Sequence, residues 1–178
     1  MSKMSLKSLG FLCVLGVSRL AAQGQPKPPE CPVAAIDTAA WVLTKDPAIG
    51  IEMKHPTDYR EIHWTSRSDT SGVSLAFRRN AANTIDINEF QGFYSTRGPQ
   101  PSVPPCLLRT RSGELALHVE PTYTINSDGS HSPYLIGKAI ISPTGKPRML
   151  VEIGAPDSTA LFEQMMMLRT IEFLGRPR

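Results

Sequence analysis

From residue 50 onward the chain alternates apolar and polar residues in short runs. Ile51-Glu52-Met53-Lys54 alternates and then stops at His55-Pro56. Glu61-Ile62-His63-Trp64 follows after a turn near Thr57-Asp58. Val73, Leu75 and Phe77 share one face of the next run, and Thr84-Ile85-Asp86-Ile87-Asn88 repeats the pattern. A period of two over such lengths predicts half-buried antiparallel strands. A proline-rich loop over 92–105 interrupts the series. Beyond it, 114–125 reads as a long strand, with Pro121 marking an edge or a bulge. Asn126-Ser127-Asp128-Gly129-Ser130 is a turn. A hairpin follows, with strands over 135–142 and 149–153 and a turn at Pro143-Thr144-Gly145-Lys146-Pro147.

The period changes only near the end. Leu161, Met165 and Leu168 fall at helical spacing, with Phe162 and Met166 widening the stripe and Asp157 or Ser158 placed to cap the first turn. The run Met165-Met166-Met167 fits an irregular core better than a metal site. A short final strand is predicted over 170–174. A short helix over 34–44, running into a strand near Trp41-Val42-Leu43, is the expectation for the start of the domain. Together these elements predict an α+β protein: mainly antiparallel sheet covered by a C-terminal amphipathic helix. A lipocalin-like β-barrel with a C-terminal helix is the alternative.

The first residues follow a different logic. Lys3 and Lys7 precede an apolar run over 9–17, and Leu20-Ala21-Ala22-Gln23-Gly24 supplies small residues. That layout is a secretory signal peptide, expected over 1–24. A proline-rich arm then occupies 25–33, and one domain occupies 34–175. The apolar run is too short for a membrane span. The expectation is an exported protein, periplasmic or secreted. Removing the signal also changes the charge. The whole chain carries 19 Lys+Arg and 16 Asp+Glu; Lys3, Lys7 and Arg19 leave with the signal, so 16 face 16. A neutral domain gives no footprint for nucleic acid. Arg78-Arg79 and Arg109-x-Arg111 read as solvated strand faces.

Cys13 lies in the signal, which leaves Cys31 and Cys106 as a pair. An even count in an exported chain predicts one disulfide. Both cysteines sit beside prolines, so the bridge would tie the N-terminal arm to a mid-chain loop. Their wide separation argues for a structural staple over a redox pair.

Two pieces carry a resemblance. One is Gly50-Ile51-Glu52-Met53-Lys54-His55-Pro56-Thr57-Asp58-Tyr59. The other is the ending, where a hairpin leads into Phe162-Glu163-Gln164-Met165 and then Ile171-Glu172-Phe173. This arrangement resembles the PsbP-like fold, a family of photosystem extrinsic subunits and small exported bacterial proteins. The resemblance implies a central antiparallel sheet flanked by helices, and binding or assembly rather than catalysis.

Chemical motifs are sparse. His55, His63, His118 and His131 lack zinc-site spacing, and no H-E-x-x-H occurs. No Gly-x-Ser-x-Gly, phosphate loop or dinucleotide fingerprint is present. No cofactor or metal is expected. Trp41, Tyr59, Trp64, Tyr123 and Tyr134 read as core or half-buried sheet residues. Phe93 and Tyr94, at one end of the proline-rich loop, are the expected binding surface. The leading expectation is an exported, non-catalytic binding or envelope-assembly module for a protein or small-molecule partner. Two alternatives stand beside it. A small hydrolase would need at least two of His55, His63, His118, Asp58 and Glu120 to converge. A lipophilic-ligand carrier would need a barrel with a continuous cavity.

Overall fold

The computed structural model describes residues 27–65, 73–89, 104–141 and 149–174. Two antiparallel sheets and one helix make up the fold. The smaller sheet has the order β1-β2-β10, from β1 (Val42–Asp46), β2 (Ile51–His55) and β10 (Glu172–Phe173). The larger sheet has seven strands in the order β3-β4-β5-β9-β8-β7-β6. These are β3 (Arg60–Thr65), β4 (Val73–Arg78), β5 (Thr84–Glu89), β6 (Cys106–Thr110), β7 (Gly113–Ile125), β8 (His131–Ile141) and β9 (Met149–Ala155). The helix α1 spans Ser158–Arg169.

The α+β expectation holds. The barrel does not: β3 and β6 end the large sheet and do not pair with each other. Each end is occupied in another way. At β6, Cys31 N–H donates to the Leu107 carbonyl at 2.9 Å, and Leu107 N–H donates to the Pro29 carbonyl at 2.7 Å. The Cys31–Cys106 disulfide bolts the same spot, with Cα atoms 4.8 Å apart. Short segments and covalent ties of this kind blunt a sheet edge that would otherwise pair with another chain. At β3, side chains from β1 fill the role.

The core lies on one side of the large sheet. Leu75, Phe77, Ile85, Ile87, Val151 and Ile153 pack in one cluster with Ile51 and Met53 of β2 and with Leu161, Met165, Met167 and Leu168 of α1. β9 is central and nearly continuous in apolar residues, and it is buried along its length apart from Glu152. The opposite face is ionic. Lys138 pairs with Glu152 at 3.0 Å and Arg78 with Asp86 at 2.7 Å, and Asp86 stands directly across from Glu152. Burial lifts the Asp86 carboxyl above its usual range despite Arg78, and Glu152 adds to the effect.

Asp157 is the helix N-cap, accepting from Ala160 N–H at 2.8 Å. The buried stripe departs from expectation: Gln164 and Met167 are fully covered, whereas Phe162 and Met166 are half-buried. Gln164 earns its place by donating from Nε2 to the Gly154 carbonyl at 2.8 Å. The final strand shrinks to two residues because Thr170 caps α1; its hydroxyl donates to the Met167 carbonyl and accepts from Lys54 N–H at 2.8 Å.

The helix expected over 34–44 is absent. The Asp37 side chain takes the Ala39 N–H at 2.9 Å, and Trp41 N–H bonds the Thr38 carbonyl. A side chain that captures a nearby N–H competes with helix in this way. β6 was not expected as a strand. The turn expected at 143–147 lies outside the described residues.

Candidate functional site

Two features stand out from the core: a polar junction between the sheets, and an arm. The junction begins with the turn that links β1 to β2. Asp46-Pro47 opens the turn and Gly50 closes it at φ 76°. Asp46 Oδ1 accepts from Ala48 N–H at 2.8 Å and Ile49 N–H at 3.1 Å. This is the local role that draws aspartate into turns. It fixes the carboxylate inside the molecule, 4 % exposed, with Oδ2 left to receive His63 Nδ1–H at 2.9 Å.

Three more side chains complete the cluster. Thr44, two residues before Asp46, is on the same inward face of β1 and donates its hydroxyl to Glu61 Oε1. His55 Nδ1 donates to the Pro56 carbonyl at 2.8 Å, and its Nε2 lies 2.9 Å from Thr44 Oγ1 and 3.1 Å from Glu61 Oε1. His63 Nε2 faces Glu61 Oε2 at 3.5 Å. One carboxylate therefore meets both histidines. Burial pushes the Glu61 carboxyl up, but Thr44, His55 and His63 together hold it below the usual range. The His55 ring also packs against Phe77, with centroids 5.0 Å apart.

The residues named from sequence divide between places. His55 and His63 come together, but through Glu61, which the motif search did not single out. Asp58 is not with His55: it pairs with Arg79 at 2.7 Å. Arg79 also binds Glu163 at 2.9 Å and lies over the Tyr59 ring at 4.6 Å. His118 and Glu120 stand on β7, away from the junction. Arg109 pairs with Glu30 and Arg111 with Glu172, both pairs exposed, as solvated strand faces would be. Among the described residues, no group of three or more His, Cys, Asp or Glu side chains is arranged to hold a metal. Phe93 and Tyr94 lie outside the described residues.

The arm is the distal half of the β7–β8 hairpin. β6 accompanies β7 only as far as Leu117, and β9 accompanies β8 only from Leu135. Beyond these points β7 and β8 continue as a two-stranded ribbon to Ile125 and His131. Alternation assigns its faces. Pro121, Tyr123 and Ile125 oppose Leu135, Pro133 and His131 on one side; Thr122 and Thr124 oppose Tyr134 and Ser132 on the other. The first side is the one that, further along β8, carries core residues Ala139 and Ile141. On the arm it is open: Tyr123 is 58 % and Ile125 68 % exposed. The Tyr123 and His131 rings stack with centroids 4.4 Å apart. The length of the run over 114–125 predicted β7; nothing in it marked where the neighbouring strands would stop.

No protein family's sequence profile matches this chain, and no curated protein matches it. Among the described residues, no helix is long and apolar enough to cross a membrane.

Proposed function

We propose that this chain is an exported, non-catalytic binding module of the envelope-assembly kind, and that the β7–β8 arm is its docking element. The observation that carries the reading is the continuation of the core face onto the arm with no described residue covering it. A two-stranded ribbon is marginal in water by itself, and a contiguous apolar patch on a surface marks an interaction site. The disulfide supports an oxidising compartment, as does the signal-like layout of the first residues. A PsbP-like architecture belongs to the same reading; the antiparallel sheet with its C-terminal helix supports it.

The test is capture from the exported fraction of the producing cells, with wild type and a Tyr123→Ser/Ile125→Ser variant immobilised side by side. The expected result is a partner retained by wild type and lost from the variant. Equal recovery by both, or recovery by neither, overturns the reading. A hydrolase is the second reading, favoured by His63, whose side chain is 54 % exposed and oriented by Asp46. The binding reading is better supported because the ring nitrogens of both histidines are already engaged within the junction.

A further inference from the structure

The junction joins separate sheets through side chains. Thr44 and Asp46 come from β1, an edge of the small sheet; His55 comes from β2; Glu61 and His63 come from β3, an edge of the large sheet. We propose that Glu61 is a proton-operated clasp between the two sheets, closed when its carboxylate is ionised and released when it takes up a proton.

The hydrogen-bond inventory supports this. Thr44 has one hydroxyl proton, and it is given to Glu61 Oε1. His55 Nδ1 faces a carbonyl, and His63 Nδ1 faces the Asp46 carboxylate; carbonyl and carboxylate oxygens only accept. Nδ1 is therefore the proton-bearing nitrogen of each ring, and each Nε2, facing Glu61 Oε1 or Oε2, donates to it when the ring is an imidazolium. An ionised Glu61 facing two imidazolium rings receives all three donors, and hydrogen bonds to an ionised acceptor are the strong ones. A protonated Glu61 loses that charge. The titratable groups facing Glu61 are His55 from β2 and His63 from β3, with Asp46 from β1 one step further; β4 contributes the uncharged Phe77 ring. The partners that hold Glu61 below the usual carboxylate range are the ones released.

The sign follows from this depression. A carboxyl whose folded value lies below its unfolded value contributes stability above the unfolded value, and that contribution is lost as pH falls through the folded one. The seam between β1 and β3 then opens on the acid side while the rest of the large sheet persists.

Hydrogen exchange resolved by segment tests it, with rates corrected for the intrinsic effect of pH and with β8–β9 as the internal reference. Between about pH 6 and about pH 3, exchange in β1 is expected to accelerate on the order of tenfold relative to β8–β9. E61Q should exchange fast in β1 at both pH values. A β1:β8–β9 ratio in wild type that does not change with pH overturns the proposal, as does an acid acceleration that E61Q retains. If E61Q fails to fold, H63Q takes its place. Losing one partner of Glu61 should move the acid transition in β1 to higher pH, and an unmoved transition overturns the proposal.

Discussion

β1 and the β7–β8 arm both place residues against the usual pattern, and they do so in opposite ways. β1 buries Thr44 and Asp46 and turns Val42 and Leu43 outward, at 43 % and 42 % exposure. The arm exposes Tyr123 and Ile125 on the side that is core elsewhere in the same hairpin. The inversion in β1 is satisfied within the molecule: the polar groups of Thr44 and Asp46 each have a partner in the turn, in β2 or in β3. The inversion in the arm is not satisfied by any described residue. Buried polarity with its partners present is a structural solution, whereas exposed apolarity without them points outward. The comparison therefore assigns stability to one region and recognition to the other.

That assignment can be broken in graded steps. The bluntest is to remove the staple that ties the N-terminal segment to β6. Cys31→Ser/Cys106→Ser releases a 75-residue separation and should cost about 4 kcal/mol in denaturant unfolding. Next comes the junction. Asp46→Ala strands two backbone N–H groups and the His63 ring, and should cost about 3 kcal/mol while leaving partner capture by the folded fraction unchanged. A loss of capture at constant stability would move recognition into the junction.

Acid sharpens the same point. Glu61 is held below the usual carboxylate range, so the stability gap between wild type and E61Q should be full near neutrality and close as pH falls below about 4. Chemical denaturation over that range measures it; a constant gap would dissociate the junction from Glu61 ionisation. On the alkaline side, burial, reinforced by Glu163 and opposed by Arg79, pushes the Tyr59 hydroxyl up to about 12. A difference-absorbance titration should show one late phenol, absent in Tyr59→Phe. The smallest expected stability effect is on the arm: Ile125→Ser should stay within about 0.5 kcal/mol of wild type while weakening capture. A cost of several kcal/mol would mean that Ile125 is covered by this chain itself.

Much of this fold is visible as alternation. β2, β4 and β5 each follow a period of two because one of their faces meets a single shared core; β7 was legible from its length. The staple was legible from cysteine number alone, once Cys13 is assigned to the expected signal. β6 was hidden because Cys106-Leu107-Leu108-Arg109-Thr110 follows prolines and does not alternate cleanly. The helix stripe was misread at Gln164, whose burial depends on a carbonyl of β9 that only the tertiary structure supplies. The junction escaped for a related reason. Asp46 lies on β1 and Glu61 and His63 on β3, and their meeting depends on how β3 sits beside β1. The one local signal was Asp46-Pro47 with Gly50, a turn whose first residue is drawn inward by its own backbone contacts.

The most direct test of the central claim is site-specific photo-crosslinking in the native exported fraction. One probe replaces Ile125 on the arm; the control replaces Ile140, which is 51 % exposed but stands on the opposite face of β8. The account predicts a discrete adduct from position 125 and none from position 140. Adducts of equal yield from both positions, or none from 125, would contradict it.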